Sequence, residues 1–262
     1  MKASDIHEHF APHRAWLELQ RQCDGIKLGD ARTEVRGIAV MWKPRLEQIK
    51  AAVELDCNFI LGHESVFREG GAGDETAIVQ PSEQAKLAYL QARGIVCYRC
   101  HDAWDIYPGI GVRDAWTRGL GYDLTPPLPD YPYMRVVDGG GITFDDLCLR
   151  VLERVRPLGQ QVVIARGDGK RRIRRLTLGT GAANDPGRIV RTEPDACIIS
   201  DDYFRFVRDG VFLEEANVPF MVLNHATLEE WGIRNLYEYA SKAFAPVPVH
   251  YFPQGCGFHV VT

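Results

Sequence analysis

Three histidines stand beside carboxylates at the downstream ends of short apolar runs. His63-Glu64 follows Asn58-Phe-Ile-Leu61, His101 with Asp102 and Asp105 follows Ile95-Val-Cys-Tyr98, and His225, with Glu229 four residues on, follows Phe220-Met-Val-Leu223. Imidazole nitrogen mixed with carboxylate oxygen suits zinc, manganese or iron better than the all-oxygen shells of calcium or magnesium. A single histidine after a strand usually caps a loop or lies on the surface. Three of them, each with carboxylates, point instead to a divalent-metal site. Its expected ligands are His63, Glu64, Asp105, His225 and Glu229. So many donors could hold two metals roughly 3.5 to 4 Å apart, a geometry that activates a bridging water and polarises a carbonyl or phosphoryl oxygen. Hydrolysis is the reaction that follows most directly, with Glu64 or His101 as the catalytic group that handles the proton.

The elements that must position these groups alternate between strand and helix. Gly37 to Trp42 reads as a buried strand, and Pro44 suits the first turn of a helix carrying Leu46, Ile49, Ala52, Val53 and Leu55. Residues 58–61 and 95–98 are the next strands, with a glycine-rich loop and a helix from Ser82 to Arg93, ended by Gly94, between them. Residues 2–24 read as an irregular helix, and Gly25 and Gly29 as the start of a loop. A stretch rich in proline and glycine, about 123–141, reads as a connector, which divides the chain into lobes at 1–125 and 126–262.

The second lobe opens on a helix capped by Thr143. Strands are expected at 161–165, 175–178, 196–199 and 220–223, and both lobes share a strand-helix-strand rhythm. Thr227 with Glu230 forms a capping box, which starts the last helix at Thr227, leaves His225 just outside it and puts Glu229 in its first turn. The fold class is therefore α/β, two-lobed, with ligands delivered at strand carboxyl ends, where open α/β sheets bind them.

Composition narrows the field. In 262 residues, 31 basic against 35 acidic side chains give a formal charge of -4, so no global field draws nucleic acid or anionic lipid. No apolar run approaches the roughly 20 residues that span a bilayer, and Met1 to His9 is too polar for a secretory signal. Seven cysteines, an odd number scattered along a long chain, fit reduced thiols rather than a disulfide framework. The expected location is the cytoplasm and the expected partner a small-molecule substrate, with no membrane and no nucleic acid.

Other patterns carry less. Cys97-Tyr-Arg-Cys100-His101 matches a haem-attachment pattern, but a strand continuing through it points the two thiols to opposite faces. His7, His9 and His13 lie in a terminal segment disturbed by Pro12. Lys170-Arg-Arg-Ile-Arg-Arg175 reads as a solvated hairpin after the turn Gly167-Asp-Gly169, with guidance of an anionic substrate as its functional alternative. Gly179-Thr-Gly181-Ala-Ala lacks both the dinucleotide spacing and the phosphate-loop lysine and reads as a loop, so no organic cofactor is expected.

Four segments together resemble one family over most of the chain. They are Asp24-Gly-Ile-Lys-Leu-Gly-Asp30; Phe59-Ile-Leu-Gly-His63-Glu64-Ser-Val-Phe67; His101-Asp-Ala-Trp-Asp105 with Gly111-Val-Arg-Asp114 and Gly119-Leu-Gly121; and Asn224-His225-Ala-Thr-Leu-Glu229-Glu-Trp-Gly232. They are similar to the conserved blocks of the Nif-three-like proteins, also known as GTP cyclohydrolase I type 2 homologues. The resemblance implies His63, Asp105, His225 and Glu229 as ligands of a dinuclear centre in the cleft between lobes, with His101 nearby as a second-layer or proton-handling group. Glu64 stands where the family usually carries a second histidine, Asp102 replaces a threonine, and Met41-Trp42 stand where an acidic residue is common. The resemblance further implies a toroidal homohexamer with metal sites facing its interior, and hydrolysis of a C–N bond in a cyclic amide or amidine. The alternative function is a non-catalytic metal-binding regulatory or scaffold protein.

Overall fold

The short apolar runs of the sequence become the parallel strands of two separate sheets in a computed structural model, which describes residues 1–14, 23–68, 80–181 and 183–261. Two units result: Met1–Tyr107 with Ile233–Pro253, and Pro108–Gly232 with Gln254–Thr262.

In the first unit five strands stand in the order β1-β4-β3-β2-β10: β1 (Gly25–Leu28), β2 (Ile38–Met41), β3 (Phe59–Gly62), β4 (Val96–Arg99) and β10 (Val249–Phe252). β10, β2, β3 and β4 are mutually parallel, and β1 closes one edge antiparallel to β4. β2 and β3 are buried along their whole length, as a parallel sheet covered on both faces requires. Period-two alternation sorts their side chains. Ala39, Met41, Ile60 and Cys97 pack with Ile49 and Ala52 of α2 (Leu46–Glu54) and Leu90 of α3 (Pro81–Ala92). Among the residues pointing the other way, Phe59 stacks on Tyr98 at 6.2 Å, and Phe10 of α1 (Ala3–Phe10) lies 5.8 Å from Tyr98.

The second unit repeats the plan with the order β5-β7-β8-β9-β6: β5 (Arg135–Thr143), β6 (Ile164–Arg166), β7 (Arg172–Leu178), β8 (Ala196–Ser200) and β9 (Phe220–Leu223). β7, β8 and β9 are parallel, and β5 and β6 are antiparallel edges. One face packs Leu176, Leu178, Ile198 and Met221 with Trp116 of α5 (Val112–Gly119), Phe144 and Leu147 of α6 (Phe144–Val155), and Leu228. The other gathers Cys197, Ile199 and Phe220 with Ile189 of α7 (Pro186–Arg191) and Leu213 of α8 (Val211–Glu215). The last helix, α9 (His225–Ala243), begins in this unit and ends in the first.

Several expectations need correction. The division falls after Tyr107 and not at 123–141, because α5 packs into the second core and residues 135–143 form an edge strand. The C-terminal strand returns to the first unit by pairing with β2, so neither unit is one continuous stretch. Of the helix expected over 2–24, the described part is α1 to Phe10 and a 3-10 turn to Arg14; residues 15–22, with Trp16 to Gln20, lie outside the described residues. Gly25 opens a strand instead of a loop. The arginine run is no hairpin: β7 lies between β5 and β8, with Ile173 buried and Arg172, Arg174 and Arg175 exposed. Among the described residues, no helix is long and apolar enough to cross a membrane.

Candidate metal centre

In the first unit the site residues hang from the carboxyl ends of β3 and β4. Beyond Gly62 the chain stays bound to its neighbour, since the His63 amide donates to the Met41 carbonyl at 3.2 Å and the Glu64 amide to Trp42 at 2.7 Å. His63 is fully buried, and its Nδ1 lies 2.9 Å from the Cys100 carbonyl. A carbonyl only accepts, so Nδ1 carries the proton and Nε2 offers its lone pair. That Nε2 faces Asp105 Oδ1 at 3.3 Å. Two donors each about 2.0–2.2 Å from one first-row cation lie roughly 2.8–3.6 Å apart at octahedral to tetrahedral angles. The spacing of His63 and Asp105 fits a shared metal ion.

His101 stacks on His63 with centroids 4.6 Å apart. Its Nδ1 is 2.8 Å from Asp102 Oδ1 and 3.3 Å from Asp105 Oδ2, and its Nε2 is 3.5 Å from Glu64 Oε1. Burial alone would lower its pKa, but the Asp105 charge and the hydrogen bonds to Asp102, Cys23 and Glu64 outweigh it and hold His101 well above the usual histidine range. Asp102 is held down at about 2 because, against the effect of burial, the His101 hydrogen bond and charge favour its ionised form. The backbone here is pinned by Asp24, which accepts from the His101 amide at 2.7 Å and the Ala103 amide at 3.3 Å and so caps the single turn α4 (Asp102–Asp105). Burial pushes the Asp24 carboxyl up, and those amide bonds only partly offset it.

Glu64 is held from the other side by Arg99. The guanidinium donates from Nη2 to Glu64 Oε2 at 3.1 Å and from Nε to the His63 carbonyl at 3.1 Å. His63, Glu64 and His101 thus bring donor atoms within 4.8 Å of one another.

In the second unit His225 is the first residue of α9, and Glu229 stands one turn later. The expected start at Thr227 is corrected: the Leu228 amide bonds to the Asn224 carbonyl, so the helix begins two residues earlier. That places both side chains on one helix face, with His225 Nε2 2.9 Å from Glu229 Oε1, within the span of two ligands on one cation. Asp201 at the end of β8 accepts from the His225 amide at 2.8 Å and from Asn224 Nδ2 at 2.9 Å. A carboxylate at this helix N-terminus also complements its dipole. Asp202 Oδ2 faces His225 Nδ1 at 3.6 Å, which favours a proton there and leaves Nε2 as the donor.

The loop after β7, which carries no motif, touches this pair. A Cβ on Gly181 would stand 2.8 Å from Glu229 Oε1 and 3.1 Å from His225 Nε2, and its φ of +50° also favours glycine. Ser200 Oγ donates to the Gly181 carbonyl at 2.6 Å, and Asn184 Nδ2 donates to it as well.

His63, Glu64, His101 and Asp105 are therefore gathered in the first unit, and His225 and Glu229 in the second. Arg99, Asp201 and Asp202 carry no motif that spacing could reveal, and Gly181 falls in the stretch Gly179-Thr-Gly181 that reads from the sequence as a plain loop.

A protein of Pseudomonas aeruginosa named GTP cyclohydrolase 1 type 2 homolog is 24% identical over 229 residues, covering 87% of each chain. A Chlamydia pneumoniae protein of the same name is 24% identical over 226 residues, covering 84% of this chain and 85% of its own. The crystal structure of a hypothetical protein from Staphylococcus aureus superposes with a TM-score of 0.81 at 16% identity, over 100% of this chain and 99% of that one. The sequence profile of Duf34/NIF3 (NGG1p interacting factor 3) matches residues 1–253, and the chain belongs to that family.

Proposed function

We propose that this protein is a metal-dependent hydrolase whose small-molecule substrate contains a cyclic amide or amidine C–N bond. The observation that carries the reading is the locked tautomer of His63, whose Nε2 faces Asp105 Oδ1 at 3.3 Å. Its ligands would be His63, Asp105, His225 and Glu229, with Glu64 as a further donor or as the base. Zinc, manganese or iron fits that donor set, and two ions per chain is the proposed content. When bound, such ions lower the pKa of water and polarise the oxygen under attack.

The chain's own groups do the rest. Glu64, steadied by Arg99, accepts a proton. His101, protonated and oriented by Asp102, returns one to the leaving nitrogen. Asp24 keeps the His101 backbone in place throughout. The names of the curated relatives support C–N bond hydrolysis as the reaction class. The family resemblance supports a cytoplasmic homohexamer, which sedimentation would test.

The exposure of Arg172, Arg174 and Arg175 favours one second reading, a regulatory scaffold that engages an anionic partner through β7. Salt-sensitive nucleic-acid binding, lost when those arginines are neutralised, would support it.

Metal content per chain, measured by plasma mass spectrometry on untagged wild type and His225→Ala, tests the hydrolase reading. About two equivalents, lost in the variant, is the expected result. No metal after reconstitution, or hydrolysis retained in Glu229→Ala, overturns it.

A further inference from the structure

Among the described residues, Cys23 is the one cysteine that lies within a group of side chains able to hold a metal ion, and it is half-buried there. Its Sγ lies 3.4 Å from Asp102 Oδ1 and 3.3 Å from Asp102 Oδ2, and its amide donates to the same carboxylate at 3.0 Å. Cys23, His101 and Asp102 each bring a donor atom within 4.8 Å of the others. Sulfur, nitrogen and oxygen thus converge on one small volume, on the Asp102 side of His101. The His63–Asp105 pair is not part of this group.

We propose that Cys23, His101 and Asp102 form a thiolate-bearing subsite for a thiophilic divalent cation, zinc, cobalt or ferrous iron. The geometry suits it: thiolate at about 2.3 Å and imidazole or carboxylate at about 2.0–2.2 Å from one ion bring the donors to roughly the separations seen here. Binding replaces the thiol proton of Cys23 and the proton between His101 and Asp102, both released to solvent, with a single divalent charge. Three protein ligands leave one tetrahedral position open. A soft sulfur donor selects against magnesium, calcium and manganese, which the surrounding carboxylates alone would admit. The subsite shares His101 with the proposed hydrolytic centre, engaging Nδ1 beside Asp102 and leaving the Nε2 proton on the Glu64 side for the transfer proposed there, and it requires neither His225 nor Glu229.

Cobalt(II) is the probe. Titrated into the wild-type protein under anaerobic conditions, it should produce an intense near-ultraviolet sulfur-to-cobalt charge-transfer band. The band should persist in His225→Ala, disappear in Cys23→Ser, and leave the rest of the bound cobalt in Cys23→Ser in place. Persistence in His225→Ala, as one equivalent taken up on titration beyond the two that the hydrolytic centre loses in that variant, separates this subsite from that centre, so either reading can fail alone. A second measurement needs no variant. Zinc should slow alkylation of Cys23 about tenfold or more, because a metal-bound thiolate is withdrawn from reaction, while Cys148 and Cys256 alkylate unchanged. A missing band at saturating cobalt, a band unchanged in Cys23→Ser, or a Cys23 alkylation rate indifferent to zinc would each overturn the proposal, leaving Asp102 as the structural anchor of residue 23.

Discussion

The α-carbon of Gly181 stands so near Glu229 that a Cβ there would lie 2.8 Å from the carboxylate Oε1. A loop without a motif is thereby one wall of the His225–Glu229 pair. Gly181→Ala should cost about 1–2 kcal/mol, from overpacking and from the φ of +50°. Its larger effect should fall on metal content, because the added methyl displaces both donors. Urea denaturation beside metal analysis checks this; full metal occupancy in the variant would mean that Glu229 and His225 hold no ion.

Asp201 tests the support of the same pair. It accepts from the His225 amide and from Asn224, so Asp201→Ala removes the helix cap and should cost about 1 kcal/mol. Metal affinity should fall by about 10- to 100-fold, as it does when a group orienting a ligand is lost. Competition with a chromogenic chelator measures it, and an unchanged affinity would confine Asp201 to stability.

Arg99 distinguishes the two roles open to Glu64. If Glu64 is the base, Arg99→Met should shift the acid limb of the pH–rate profile upward, because the cation that favours its ionised form is gone. If Glu64 is a ligand, metal affinity should change instead. Profiles and affinities of the variant, set beside Glu64→Gln, separate the cases.

Asp114 should contribute to the response of the second unit to acid. It is 2% exposed and paired with Arg113 at 2.7 Å and Arg135 at 2.7 Å. Burial would raise its pKa, but the hydrogen bonds from the two arginines outweigh that and lower it below 3.8. A carboxylate lowered in the folded state contributes stability above its unfolded pKa and loses it as pH falls through the folded value. Asp114→Ala, which leaves two buried cations without their partner, should cost about 3–5 kcal/mol at neutral pH. Its urea midpoint should also fall less steeply than wild type below about pH 4. Parallel curves would remove Asp114 from the acid response.

Local chemistry made much of this protein legible in the sequence. β2, β3, β4, β8 and β9 are short apolar runs buried along most or all of their length, so hydrophobicity alone marked them within a residue or so. Thr143 caps α6 as expected, its hydroxyl accepting from the Asp146 amide at 3.1 Å. The histidines were visible because each follows such a run directly. Long-range pairing decided what stayed hidden. β10 is half-exposed and far from β2 in sequence, and only their ladder assigns it to the first sheet. The arginines of β7 read as a hairpin because exposed charges mark a solvated turn as readily as the exposed end of a central strand. Thr227 and Glu230 are the right residues for a capping box, yet Asp201, from another strand, supplies the cap two residues earlier and turns His225 onto the face of Glu229. Residue types thus determined which side chains could bind a metal, while tertiary hydrogen bonds from Cys100, Asp24, Arg99 and Asp201 decided where each one points, because a side chain's orientation depends on partners that sequence spacing does not encode.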